Sequence, residues 1–202
     1  MAYDTNDAIN SYVTDMLSLE EHVETALKSQ LDDLKDYPEI LTELRQFHRT
    51  VEHHISDLKG LKEARDAGGV ASAIKRAGSV AAGAAAGAID LFRSEGLPKN
   101  LRDDYTAFNL AAVGYLMLDT TARSLGQHEP SELGRQHFRD YADAITRLER
   151  LIPAAVVRYL QQEGLPASEA VVPDVLRSAG EAWDTGAEQA AEADRPAPTR
   201  QV

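Results

Sequence analysis

A carboxylate or an imidazole on the apolar face of a helix must be paired, bound to a metal or set at a gap, because burying it bare is costly. Two residues of this 202-residue chain meet that description. Glu20 interrupts a stripe of Ile9, Val13, Met16, Val23, Leu27, Gln30 and Leu34. His54 interrupts one of Ile40, Leu44, Phe47, Val51, Leu58 and Leu61. Both stripes step by three and four, the spacing of one helix face. His48 and Glu52 lie one turn apart beside His54 and offer two further donors. Glu20, His54, Glu52 and His48 are therefore the candidate metal ligands, with Glu24 as an alternative to Glu20. The competing reading is that these histidines are solvated or hydrogen-bonded. His22, His128 and His137 carry no partner pattern.

Those side chains need helices to carry them. The first stripe predicts a helix from Asp7 to Lys35, and the second, after the interruption near Pro38, an antiparallel partner. Near mid-length the two place Glu20 in the core, with His54 or His53 as its expected partner. Gly68 and Gly69 open an Ala/Gly-rich stretch read as a crossover helix over 66–97. In it Ser79, Gly83 and Gly87 share one face small enough for a close helix approach, read either as packing within the chain or as an oligomer or membrane-surface contact. Asn100 reads as the N-cap of a third long helix, with Asp103 and Asp104 in its first turn and a stripe of Leu101, Tyr105, Phe108, Ala112, Tyr115, Ala122 and Leu125. After Gly126, Pro130 and Ser131 start a fourth, with a face of Phe138, Tyr141, Ile145, Leu148, Ile152, Val156 and Tyr159 and a kink at Pro153. The expected organisation is a helical bundle over 1–165, a helical segment over 166–183 and a disordered tail over 184–202.

Composition narrows the function classes. Hydrophobic residues make up 43% of the chain, enough for an independent core. With no cysteine there is no disulfide, thiolate site or cysteine nucleophile. The N-terminus lacks a secretory pattern, so the expected location is cytoplasmic. A net charge of -12 opposes nucleic-acid binding. The most apolar run, Ala77 to Ile89, is too short for the roughly 20 residues that a spanning helix needs. No phosphate loop, His-Glu-x-x-His or Gly-x-Ser-x-Gly occurs.

LEEHVETAL on the first helix, FHRTVEHHISDLKGL on the second, a long crossover and LRDDYTAFNLAAVGYLMLDTTARSLG on the third together resemble the ferritin-like superfamily, nearest its stress-inducible YciF-type branch. The similarity spans roughly residues 5–160. It implies an all-α, ferritin-like antiparallel four-helix bundle with a C-terminal helical extension, and a stress-associated role. It also implies a di-iron site of two glutamates and two Glu-x-x-His pairs. Glu20 matches the first glutamate and His54 the first histidine. Val51 stands where the glutamate before that histidine should be, Phe108, Ala111 and Ala112 stand where the third helix should supply one, and the fourth helix has no Glu-x-x-His. Two of six ligands remain. The expectation is a non-catalytic structural or interaction protein with no cofactor, self-assembling through Ser79, Gly83 and Gly87. The alternative is an iron- or manganese-binding, ferroxidase-like enzyme with an atypical site around Glu20 and His54.

Overall fold

The computed structural model describes residues 4–32, 34, 37–66 and 96–193, and no strand occurs among them. Ser79, Gly83 and Gly87 lie outside the described residues. Helix α1 runs Thr5–Leu31 and α2 Pro38–Arg65. Helix α3 runs Leu97–Ser124, α4 His128–Gln162 and α5 Val172–Ala193. Two compact units divide at Pro153: residues 1–152 and 153–202. The sequence expectation put that boundary after 165. Helix α4 runs on through Pro153, which has no N–H to donate to the preceding turn.

Local chemistry explains the helix ends. Asp4 caps α1 by accepting from the N–H groups of Asn6 and Asp7, both at 2.8 Å, and the Asp7 carboxylate accepts from the Asp4 N–H. Pro38 begins α2, where a missing N–H costs nothing. Helix α3 begins three residues before the expected Asn100 cap. Gly96 precedes it at φ 98°, a conformation favouring glycine, and Pro98 sits in its first turn. Gly126, at φ 67°, ends α3 as expected.

In the first unit the long helices pair antiparallel. Glu20 meets His54, and Asn10 meets Arg65, so α2 runs back along α1. Gln30 meets Asp104 and Glu20 meets Tyr115, so α3 does the same on another side. Helix α4 runs back along α2 through Asp57–His137 and Glu43–Arg147. It meets α3 at Asp119–Ser131 and at the edge-on contact of Phe108 with Tyr141. The core is the set of inward stripes: Ile9, Val13, Val23 and Leu27 of α1 with Leu44, Val51 and Leu58 of α2 and Leu101, Phe108 and Leu118 of α3.

Three expectations need correction. The buried face of α4 is Gly134, His137, Tyr141, Ala144 and Leu148, one residue out of register from the expected Phe138 and Ile145. Asp103 and Asp104 do not serve the start of α3; both are buried one turn further in. Residues 184–193, expected to be disordered, continue α5, because GAEQAAEA is rich in strong helix formers. That helix, in the second unit, buries none of its residues.

The glycines mark the tightest approach. A Cβ on Gly134 would lie 3.1 Å from the backbone N of Asp119 and 3.1 Å from the carbonyl O of Tyr115, so α4 comes close to the α3 main chain there. A Cβ on Gly114 would meet only the flexible Met16 side chain. Gly134→Leu should force α3 and α4 apart and cost about 1–3 kcal/mol in a denaturant melt, and Gly134→Ala less. Unchanged melting for Gly134→Leu would show that the approach is not constrained.

Asp104 sets a pH dependence. Gln30 Nε2 donates to Asp104 Oδ1 at 2.8 Å, while Gln30 Oε1 and Asp104 Oδ2 are buried with no partner. A proton on the carboxyl is what this pair lacks, since an acid and an amide can share two hydrogen bonds. Burial, partly opposed by the Gln30 bond and reinforced by neighbouring Asp103, pushes Asp104 up to about 7. Its folded pKa is raised above the unfolded value, so its stabilising contribution is full below about pH 4 and is lost as pH rises through about 7. Asp104→Asn keeps an amide partner and cannot ionise. Its melting temperature should match the wild type near pH 5 and exceed it at pH 8; a difference independent of pH would contradict this.

Candidate functional site

The centre of the first unit holds a polar cluster to which each of the described helices α1 to α4 contributes. Glu20, from α1, is fully buried. Its Oε1 accepts from the Tyr115 hydroxyl of α3 at 2.5 Å and lies 3.1 Å from His54 Nδ1 of α2. Its Oε2 accepts from the Tyr141 hydroxyl of α4 at 2.6 Å. The expectation that Glu20 is buried against a group of the second helix, His54 or His53, is met by His54. His53 is exposed, 3.5 Å from Asp57.

His54 is also fully buried and offers its other nitrogen, Nε2, to Asp140 Oδ2 at 3.1 Å. With a carboxylate at each nitrogen, the ring satisfies both by donating two N–H bonds as an imidazolium. Burial alone would lower its pKa, but Glu20 and then Asp140 overcome this and raise it. Against that ring, 3.8 Å between centroids and 20° between planes, stacks His137. His137 Nε2 lies 3.2 Å from Asp57 Oδ2, and its buried Nδ1 has no partner. Burial and the neighbouring His54 hold His137 well below its ordinary value, so it stays neutral. Two stacked cations at this distance would repel strongly, and one proton serves the pair. Burial and Glu20 push both tyrosine hydroxyls well above their usual range, which keeps them donors.

The cluster has two routes to solvent. One runs Glu20, His54, Asp140, and the other His137, Asp57, His53, because Asp140 and Asp57 are each about one-third exposed. The di-iron ligand set implied by the family resemblance does not fit these residues. Both Glu20 oxygens and both His54 nitrogens are already engaged, and the chain offers two of the six ligands.

The remaining candidate ligands form a separate group. His48 Nε2 lies 3.1 Å from Glu24 Oε1 and its Nδ1 3.4 Å from Glu52 Oε2. The structure thus splits the four candidates into Glu20 with His54 inside and His48 with Glu52 outside, and it selects Glu24 for the outer group. Sequence reasoning missed His137, Asp140 and the roles of Tyr115 and Tyr141. The signal for His137 was present: Gly134, His137, Tyr141, Ala144 and Leu148 step by three and four.

Tyr141→Phe leaves Glu20 Oε2 without its hydroxyl donor and should cost about 1–3 kcal/mol by urea denaturation. No measurable cost would mean that water replaces the hydroxyl. Histidine ring NMR should show His54 titrating above about 6.5 and His137 neutral far below it. Because the folded pKa of His54 is raised, its contribution is present below about 6.5 and lost as pH rises through the folded value. Two rings titrating together near 6.5 would contradict the shared-proton arrangement.

No family model, curated protein or solved structure matches this chain, so function has to follow from the chemistry of these side chains.

Proposed function

We propose that this chain is a four-helix bundle of ferritin-like type in which a hydrogen-bonded cluster occupies the position of a metal centre, and that its role is structural or interactive rather than catalytic. The observation that carries this reading is the engagement of Glu20. A carboxylate with no exposed surface, bonded by two tyrosine hydroxyls and an imidazole, ties four helices together and has both oxygens engaged. Two further features support it. Helix α2 ends beside Asn6 and Asn10, at the start of α1, whereas α3 begins near the end of α1, where Asp104 meets Gln30. The end of α2 and the start of α3 thus lie towards opposite ends of α1, as the connectivity of that type requires. Leu110, Val113, Leu116 and Met117 lie on the outer side of α3, each about half exposed. Four large apolar residues within two turns suit a contact with a second copy of the chain. Self-assembly, through this strip and the small-residue face of Ser79, Gly83 and Gly87, belongs to the same proposal. So do the cytoplasmic setting and the stress-associated role implied by the resemblance. No helix among the described residues is long and apolar enough to cross a membrane.

Untagged protein given ferrous iron in air should oxidise it no faster than buffer, and Glu20→Gln should change nothing in that assay. Oxidation that depends on Glu20 would overturn the non-catalytic reading and favour the ferroxidase-like alternative. Light scattering tests the assembly separately. The wild type should exceed the 22.0 kDa of one chain, and Met117→Glu should reduce its mass while leaving its melting temperature unchanged. A monomeric wild type would remove self-assembly from the proposal.

A further inference from the structure

One turn beyond Glu20 on α1, and on the outer side of the cluster, Glu24 faces His48 of α2, with Glu52 one turn further along α2. Side-chain exposures of 22% for Glu24, 13% for His48 and 56% for Glu52 leave the group reachable from solvent. One donor atom from each of the three lies within 4.8 Å of the others. We propose that Glu24, His48 and Glu52 bind a single divalent first-row transition-metal ion, of the Zn2+ class, with water completing its coordination.

Charge, geometry and ligand type support this assignment. Two carboxylates and a neutral imidazole carry a charge of about -2, which one divalent ion neutralises. Ligands about 2.1 Å from a tetrahedral ion stand about 3.4 Å apart, so donors that lie within 4.8 Å of one another must close by up to about 1.4 Å. Glu52, the most exposed of the three, has the freedom to supply that movement, while Glu24 and His48 are held by the α1–α2 pairing. An imidazole with carboxylates suits Zn2+ and its neighbours, whereas Ca2+ and Mg2+ prefer oxygen ligands alone. Without an ion His48 lies between the two carboxylates, 3.1 Å from Glu24 Oε1 and 3.4 Å from Glu52 Oε2, and a bound ion takes the place of one of those contacts; the exposed Lys28 ammonium, 3.8 Å from Glu24 Oε1, contributes little. The inner cluster offers no comparable opening, because the tyrosine hydroxyls and His54 engage both oxygens of Glu20.

The test uses the full untagged chain, stripped with a chelator and titrated with ZnCl2 in a calorimeter at pH 7.5. One equivalent should bind per chain. His48→Ala and Glu24→Gln should each weaken binding at least tenfold. Glu52→Gln, an exposed change that leaves folding intact, should also weaken it, and the distant His128→Ala should not. Circular dichroism confirms that each variant is folded. Absence of binding by the wild type would overturn the proposal. So would one-equivalent binding that survives Glu52→Gln and His48→Ala undiminished, since the ion would then sit elsewhere. Zinc binding and iron oxidation are separate readouts, so this site can fail without affecting the non-catalytic reading, and the reverse.

Discussion

A carboxylate with no exposed surface constrains the whole first unit. Glu20 lies where water cannot reach, so its bonds must come from protein, and it takes one from each of the three helices around α1: Tyr115 on α3, Tyr141 on α4 and His54 on α2. Sliding any of these helices by one residue would turn its donor away. Removing one partner from a buried charged group costs far more than the intact set contributes. The cluster therefore selects one register among the many that interchangeable apolar stripes would allow.

That selection carries an electrostatic consequence. Three carboxylates, Glu20, Asp140 and Asp57, surround two stacked imidazoles, yet the rings cannot both be charged at 3.8 Å. The proton rests on His54, which has a carboxylate at each nitrogen, and His137 remains neutral with one. Buried titratable groups then pull in opposite directions. The contributions of His54 and Asp104 fade as pH rises, because their folded pKa values are raised. His137 acts the other way: its depressed pKa makes the fold lose stability as pH falls below about 6.5, where the unfolded ring takes up a proton. A core of this kind favours an intermediate pH, through identified groups rather than through net charge.

Much of this was legible in the sequence, and the parts that were not share a cause. The stripes on α1 and α2 are long and unambiguous, so the helices, the burial of Glu20 and its pairing with His54 or His53 followed from spacing, and the structure selects His54. On α4 two stripes compete, one through Phe138 and Ile145 and one through His137 and Ala144. Apolarity favours the first, whereas the structure buries the second, because Gly134 lets α4 approach the backbone of α3 and turns His137 inward. Periodicity weighs residue type and has no access to that approach. Asp103 and Asp104 failed for the opposite reason: aspartates near a helix start usually serve its dipole, and only the position of Gln30 reveals that Asp104 is a buried partner. The hydroxyls of Tyr115 and Tyr141 point inward because Glu20 is there to receive them.

The same two residue types, a glutamate on α1 and a histidine on α2, occur twice within about two turns of each other, and their neighbours give them different chemistry. At Glu20 the third and fourth helices bring tyrosines, whose hydroxyls donate to the carboxylate and close the site with hydrogen bonds. At Glu24 the neighbours are His48, which is only partly exposed, and a solvent-exposed lysine ammonium. A metal ion competes poorly with two short O–H bonds made in a dry core, and better with a histidine–carboxylate contact that solvent can reach. Whether such a pair locks a fold or offers a ligand is thus decided by what the neighbouring helices bring to it, and on this chain Tyr115 and Tyr141 decide it for Glu20.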